Sequence, residues 1–161
     1  MLRQLLPAQF DNHYAGYRLA LPVFAVLVAL KTLIGVNCIL HGYHVATAAD
    51  GLPLDAYTPA CADTVVSDFA SWGLAQLMLC SICWLALARY RSMTPLLYLL
   101  LLVEHLGRQL IHHFLPVAKV GSPPGHLVNL ILLMLMIVGL ALALVSRDTR
   151  GPRGPAGDGQ P

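Results

Sequence analysis

The ten residues Glu104-His105-Leu106-Gly107-Arg108-Gln109-Leu110-Ile111-His112-His113 hold a carboxylate, a guanidinium, an amide and three imidazoles. On a helix with Glu104 as origin, Arg108 falls at about 40°, His112 at about 80°, His105 at about 100°, Gln109 at about 140° and His113 at about 180°. Val103, Leu106, Leu110, Ile111 and Phe114 fill the other arc. Glu104 and Arg108, four residues apart, are placed to pair directly. A carboxylate beside a guanidinium, with imidazoles along the same face, suits two kinds of chemistry. It can hold an anionic or polar ligand, or it can pass protons along the row.

Other polar residues stand in otherwise apolar stretches. Lys31, Gln76, Asn37 and Asn129 are each flanked by aliphatic side chains. Counting about 1.5 Å per residue along helices lying side by side, Lys31 and Glu104 reach a similar depth, and Gln76 lies near the middle. Asn37 and Asn129 fall nearer Arg108 and His112. The spacing therefore predicts a polar column of Lys31, Gln76, Glu104, Arg108, Gln109, Asn37 and Asn129, with His105 and His112 along it. Two fixed cations in that column face one carboxylate. A network that merely sets helix register is the architectural alternative.

A second group of histidines collects where helices would end: His41, His44, His112, His113 and His126, near Asp50, Asp55, Asp63 and Asp68. Imidazole with carboxylate suits Zn, Fe or Cu. His41 and His44 are three apart, however, and His112 and His113 point about 100° away from each other, so no compact ligand set is spelled out. His41, His44, His113 and His126 remain secondary metal candidates. Bis-histidine haem needs two buried histidines at matched depth, and His105 has no such counterpart. No cofactor is assigned. Cys80-Ser81-Ile82-Cys83 has redox spacing but lies in an apolar helix, where cysteine packs as a small hydrophobe. Neither serine nor cysteine has a histidine spaced to activate it, so no catalytic residue is assigned.

These residues must be positioned by apolar elements. Of 161 residues, 57% are hydrophobic and only 11% charged, with mean hydropathy +0.67. A soluble domain carries about 25% charged residues. Disorder over most of the chain is excluded by this hydrophobicity, and a net charge of +2 argues against a nucleic-acid partner. About 20 apolar residues are needed for a helix to cross a bilayer. Four runs qualify, at about 19–40, 69–88, 96–115 and 127–145. None alternates as a barrel strand would.

The punctuation agrees with these runs. Pro95 suits the first turn of the third helix, Pro116 its end, and Gly121-Ser122-Pro123-Pro124-Gly125 a tight connection to the fourth. Asp63 and Thr64 would cap a turn entering the second. Gly35, Gly73, Ser71 and Gly139 read as close-packing points between helices. Within the outer connection, about 41–68, Leu52, Leu54 and Tyr57 could fold back onto the membrane surface. Ala46-Thr47-Ala48 has the form of a cleavage site, but the run before it is too long and carries Lys31, so it reads as a span.

Arg3, Arg18, Arg89, Arg91, Arg147, Arg150 and Arg153 flank one side of these spans, and Lys119 alone flanks the other. That asymmetry puts both termini in the cytoplasm. The expected architecture is an all-α integral membrane protein, a four-helix antiparallel transmembrane bundle over residues 19–146. A cytoplasmic segment 1–18 precedes it, and a disordered Gly/Pro-rich tail 147–161 follows. The expected setting is a bacterial inner membrane, with the lipid bilayer as partner and room for a homo-oligomer or larger complex. The first functional expectation is an accessory or binding protein whose Lys31/Glu104/Arg108 site holds a lipid, quinone or other anion. A proton-coupled carrier titrating Glu104 and a redox subunit binding haem or metal through histidines are the alternatives.

Overall fold

A computed structural model describes residues 12, 14, 16–121 and 123–145. Residues 1–11, the tail 147–161 and Ser122 lie outside the described residues, and with them Arg3, Arg147, Arg150 and Arg153. The described chain is helical, with no strand among the described residues. Its long elements are α1 (Ala20–Leu40), α2 (Pro59–Arg89), α3 (Thr94–Phe114) and α4 (Gly125–Leu144).

Among the described residues, three helices are long and apolar enough to cross a membrane: α1, α2 and α4. The fourth expected span, α3, is not among them. Its 21 residues form a continuous helix, but the polar half from Glu104 to His113 removes the apolarity a span would have alone. Such a helix needs its neighbours, since each intramembrane charge costs roughly 2.5–3.5 kcal/mol and each Leu returns about 0.5.

One correction concerns α2, which begins at Pro59 rather than near 69. Thr58 Oγ1 accepts a hydrogen bond from Cys61 N at 3.4 Å, and Pro59 occupies the first turn, where its missing N–H costs nothing. Asp63 and Thr64 therefore lie inside the helix, not at its cap, and Thr64 Oγ1 donates to Ala60 O at 2.8 Å. Their polarity truncates the apolar run, while the helix continues because its first turns are largely exposed. At about 1.5 Å per residue, the 31 residues of α2 span about 46 Å, beyond a hydrocarbon core of about 30 Å.

The outer connection is accordingly shorter, 41–58. Gly42–His44 makes one helical turn that widens into a π-turn at Val45–Ala49. Leu54 is buried and Leu52 and Tyr57 half-buried. Tyr43 donates its hydroxyl to Asp55, which holds the phenol's pKa above its ordinary value. Gly51 adopts φ +73° and accepts from Val120 N at 2.8 Å. A Cβ there would stand 3.0 Å from that residue's carbonyl oxygen, so glycine permits the two connections to meet.

Packing follows from small residues at crossings. α1 buries Ala20, Phe24, Leu27, Val28, Lys31, Gly35 and Cys38, one stripe at three- and four-residue steps. Gly35 crosses α2 at Gly73: a Cβ on Gly73 would lie 2.7 Å from Gly35 O and 3.0 Å from Cys38 Cβ. Ser71, expected at a crossing, is exposed. At the other end Tyr98 packs on Gly139, meets Phe24 edge-on at 4.8 Å and donates to Ala20 O at 2.8 Å. Tyr14 is half-buried there, and burial pushes its phenol up to about 12. Outside these stripes lies an apolar exterior that includes Leu33, Met78, Ile82, Val103, Leu106 and Met134.

Gly73→Val is expected to lower stability by about 1–3 kcal/mol through overpacking. Gly107, whose Cβ would meet nothing within 4 Å, should gain up to about 1 kcal/mol as Ala from helix propensity. Unfolding midpoints in detergent compare the two.

Candidate ligand site

The Gly35–Gly73 crossing sets the register that brings chemistry together. One turn from Gly35, Lys31 enters the interior, and one turn from Gly73, Gln76 meets it. Lys31 is 2% exposed and Gln76 4%. Lys31 Nζ donates to Gln76 Oε1 at 3.1 Å and to Glu104 Oε2 at 2.7 Å. Gln76 Nε2 is directed at Cys80 Sγ, 3.5 Å away. The other carboxylate oxygen, Oε1, lies 3.6 Å from Arg108 Nε.

Arg108 is held from two further sides. Its guanidinium lies over the Trp72 ring, 4.6 Å from the centroid, a cation–π arrangement. One terminal nitrogen reaches His105 Nδ1 at 3.3 Å. Since arginine has only donors, Nδ1 accepts, and the ring proton of the neutral imidazole belongs on Nε2. His105 is fully buried. Its Nε2 is buried without a hydrogen-bond partner. Arg108 Nε is likewise buried without a hydrogen-bond partner.

Arg108 stands where three cavities converge. Below it a void of about 20 Å³ touches Lys31, Gln76 and Trp72. Beside it a chamber of about 190 Å³ is walled by Ile34, Asn37, Cys38, Val45, Val128 and Asn129, with Asp50 at its rim. Above it a vestibule of about 630 Å³ is bordered by Asp50, Gln109, His112, Lys119, His126 and Asn129. The opposite end is closed by Phe24, Tyr98 and Met136, all fully buried. Access to Arg108 is therefore from the end where α4 begins.

The structure links five of the predicted residues directly: Lys31, Gln76, Glu104, His105 and Arg108. Gln109 and His112 are exposed and border the vestibule without bonding to the five. Asn37 and Asn129 share the chamber with Arg108. The secondary metal candidates scatter. His41 Nδ1 pairs with Asn37 Oδ1 at 3.0 Å, His113 stacks edge-on against Phe114, His44 is exposed, and His126 shares the vestibule with His112. Among the described residues, no three His, Cys, Asp or Glu side chains are grouped to hold a metal ion. Cys80 and Cys83 are buried free thiols, and Cys61 an exposed one.

Sequence reasoning missed Trp72 and Asp50. Trp72 carried a usable signal, four residues before Gln76 and so on the same face. Asp50 carried none, because it reaches the site only through the π-turn and the Gly51–Val120 tie. Comparison with protein-family models, curated proteins and solved structures finds no match.

Removing one partner of a buried pair leaves an uncompensated charge, at a cost of about 3–5 kcal/mol. Glu104→Gln strands Lys31 and should lose most of that range. Lys31→Met leaves Glu104 beside Arg108 and should cost less. The double variant is expected to be more stable than the sum of the two losses, a coupling read from unfolding in detergent.

Proposed function

We propose that this chain is an integral membrane protein, a four-helix antiparallel transmembrane bundle of the bacterial inner membrane with both termini cytoplasmic. In it, α3 crosses because its polar face is satisfied by α1 and α2. The apolar exterior and the Arg asymmetry support this reading. Exposed Cys61 near the start of α2 then faces the outside. A membrane-impermeant maleimide should label it in spheroplasts, whereas labelling only after membrane disruption would invert the topology.

Within that frame the protein is a binding or accessory protein whose site takes an anion entering from the outer end. One observation carries the reading. Lys31 and Arg108 share the single carboxylate of Glu104, which Lys31 meets at 2.7 Å and Arg108 only at 3.6 Å, and Arg108 also lines the vestibule. Counting charges, two cations less one anion leave +1 in a low-dielectric interior, where a second anion is strongly favoured. At the border of the vestibule Lys119 offsets Asp50, whose carboxylate stands beside Gly125 at the start of α4, so the count stays at +1. A Glu104-dependent carrier would have to part the layer of Phe24, Tyr98 and Met136, which favours binding over passage.

Inorganic phosphate serves as the probe. At a hundred times Kd it should stabilise the purified protein by about 2.7 kcal/mol, read as a rise in unfolding midpoint. Arg108→Gln should abolish the rise. An equal rise in that variant, or none in the native protein, contradicts the assignment.

A further inference from the structure

The chamber beside Arg108 has a second opening. Its walls Ile34, Asn37 and Val128 also line a groove of about 280 Å³ that continues over Leu30, Leu33 and Ile131. The groove lies between α1 and α4, on the apolar exterior: Leu33 is 65% exposed, Ile131 49% and Val128 43%. It exists because the two helices pack unevenly. The buried positions of α4, namely Leu132, Met136, Gly139 and Ala143, lie toward its C-terminal end. From Gly125 to Ile131 none is buried, and in this half α1 turns its small residues Gly35 and Cys38 toward α2. Pinning of Gly125 against Ala49 and Asp50 closes the top. The result is a side window below the vestibule.

A ligand filling this shape has a charged end and an apolar end. At the charged end, Arg108 retains guanidinium donors beyond those turned to Glu104 and His105, and this fork matches phosphate oxygens. His112, His126, Lys119 and the carboxylate of Asp50 border the same space. At the apolar end the groove offers aliphatic walls, with Asn37 as its one polar residue.

We infer that the anion is the phosphate headgroup of an anionic membrane lipid, with the headgroup on Arg108 and an acyl chain leaving between α1 and α4. This rests on the anion-binding reading above and adds the chain's path. A zwitterionic lipid is a poorer ligand, because its own ammonium cancels the charge that the site lacks. Burying apolar chain at about 25 cal/mol per Å² makes the lipid tighter than its headgroup alone.

The test uses the full chain in detergent, with Kd values from native mass spectrometry. The probes are dimyristoyl phosphatidylglycerol, dimyristoyl phosphatidylcholine and glycerol 3-phosphate. Phosphatidylglycerol should bind at least ten-fold tighter than either of the others. Ile131→Trp, in the groove but outside the chamber around Arg108, should weaken phosphatidylglycerol at least ten-fold and leave glycerol 3-phosphate unchanged. Arg108→Gln should weaken both. If glycerol 3-phosphate binds as tightly as the lipid and Ile131→Trp changes nothing, the chain path is wrong while the anion site stands. Equal binding of both lipids, unaffected by either substitution, means only annular lipid and overturns the inference. Binding of none of the three overturns the anion site with it. Should Arg108→Gln fail to fold, the lipid selectivity and Ile131→Trp decide alone.

Discussion

A single carboxylate shared between two cations governs this molecule. Lys31 cannot stay charged in an apolar interior without a close anion, and Glu104 at 2.7 Å is that anion. The same carboxylate must also serve Arg108 at 3.6 Å. Desolvating ions costs several kcal/mol each, and only good geometry with added hydrogen bonds repays it. Lys31 has that geometry through Gln76. Arg108 has less, leaning on an aromatic face and an imidazole nitrogen. The interior is thus electrostatically complete on the Lys31 side and incomplete on the side facing the vestibule.

The fold reads as the means of holding that imbalance in place. Close approach of Gly35 and Gly73 brings α1 and α2 near enough for Lys31 and Gln76 to bond. Tyr98, wedged on Gly139 and tied to Ala20, fixes α3 against α1 and α4 and so sets the height of Glu104, six residues further along. The same tyrosine closes the far end. The outer connection carries Asp50 to the rim of the vestibule, which Lys119 also borders, so these two offset each other and the imbalance inside remains. Packing is dense at one end and open at the other, so rigidity and access are segregated along the helix axes.

Much of this was legible from residue types. The phases of Glu104, Arg108 and His105 on one helix, and the depths of Lys31 and Gln76 on others, suffice to bring the five together, because helix geometry converts spacing directly into position. The start of α2 was not legible: Asp63 and Asp68 interrupt apolarity without interrupting the helix, and the cap at Thr58 lies outside the apolar pattern that marks a span. Nor was α3's failure to qualify alone as a span, since four well-separated runs suggest four equivalent elements. Asp50 and the side window arise from how segments distant in sequence meet, and no local pattern encodes them. Sequence placed His112 and Gln109 in the column, whereas in the structure they border the vestibule, because α3 is exposed beyond Gln109.

The central claim, that the site is one negative charge short without a ligand, is tested most directly by the mass of what the protein carries through purification. Native mass spectrometry of the chain extracted in mild detergent should show one anionic adduct per polypeptide, lost in Arg108→Gln. A bare polypeptide mass, or an adduct retained in full by Arg108→Gln, would contradict the account.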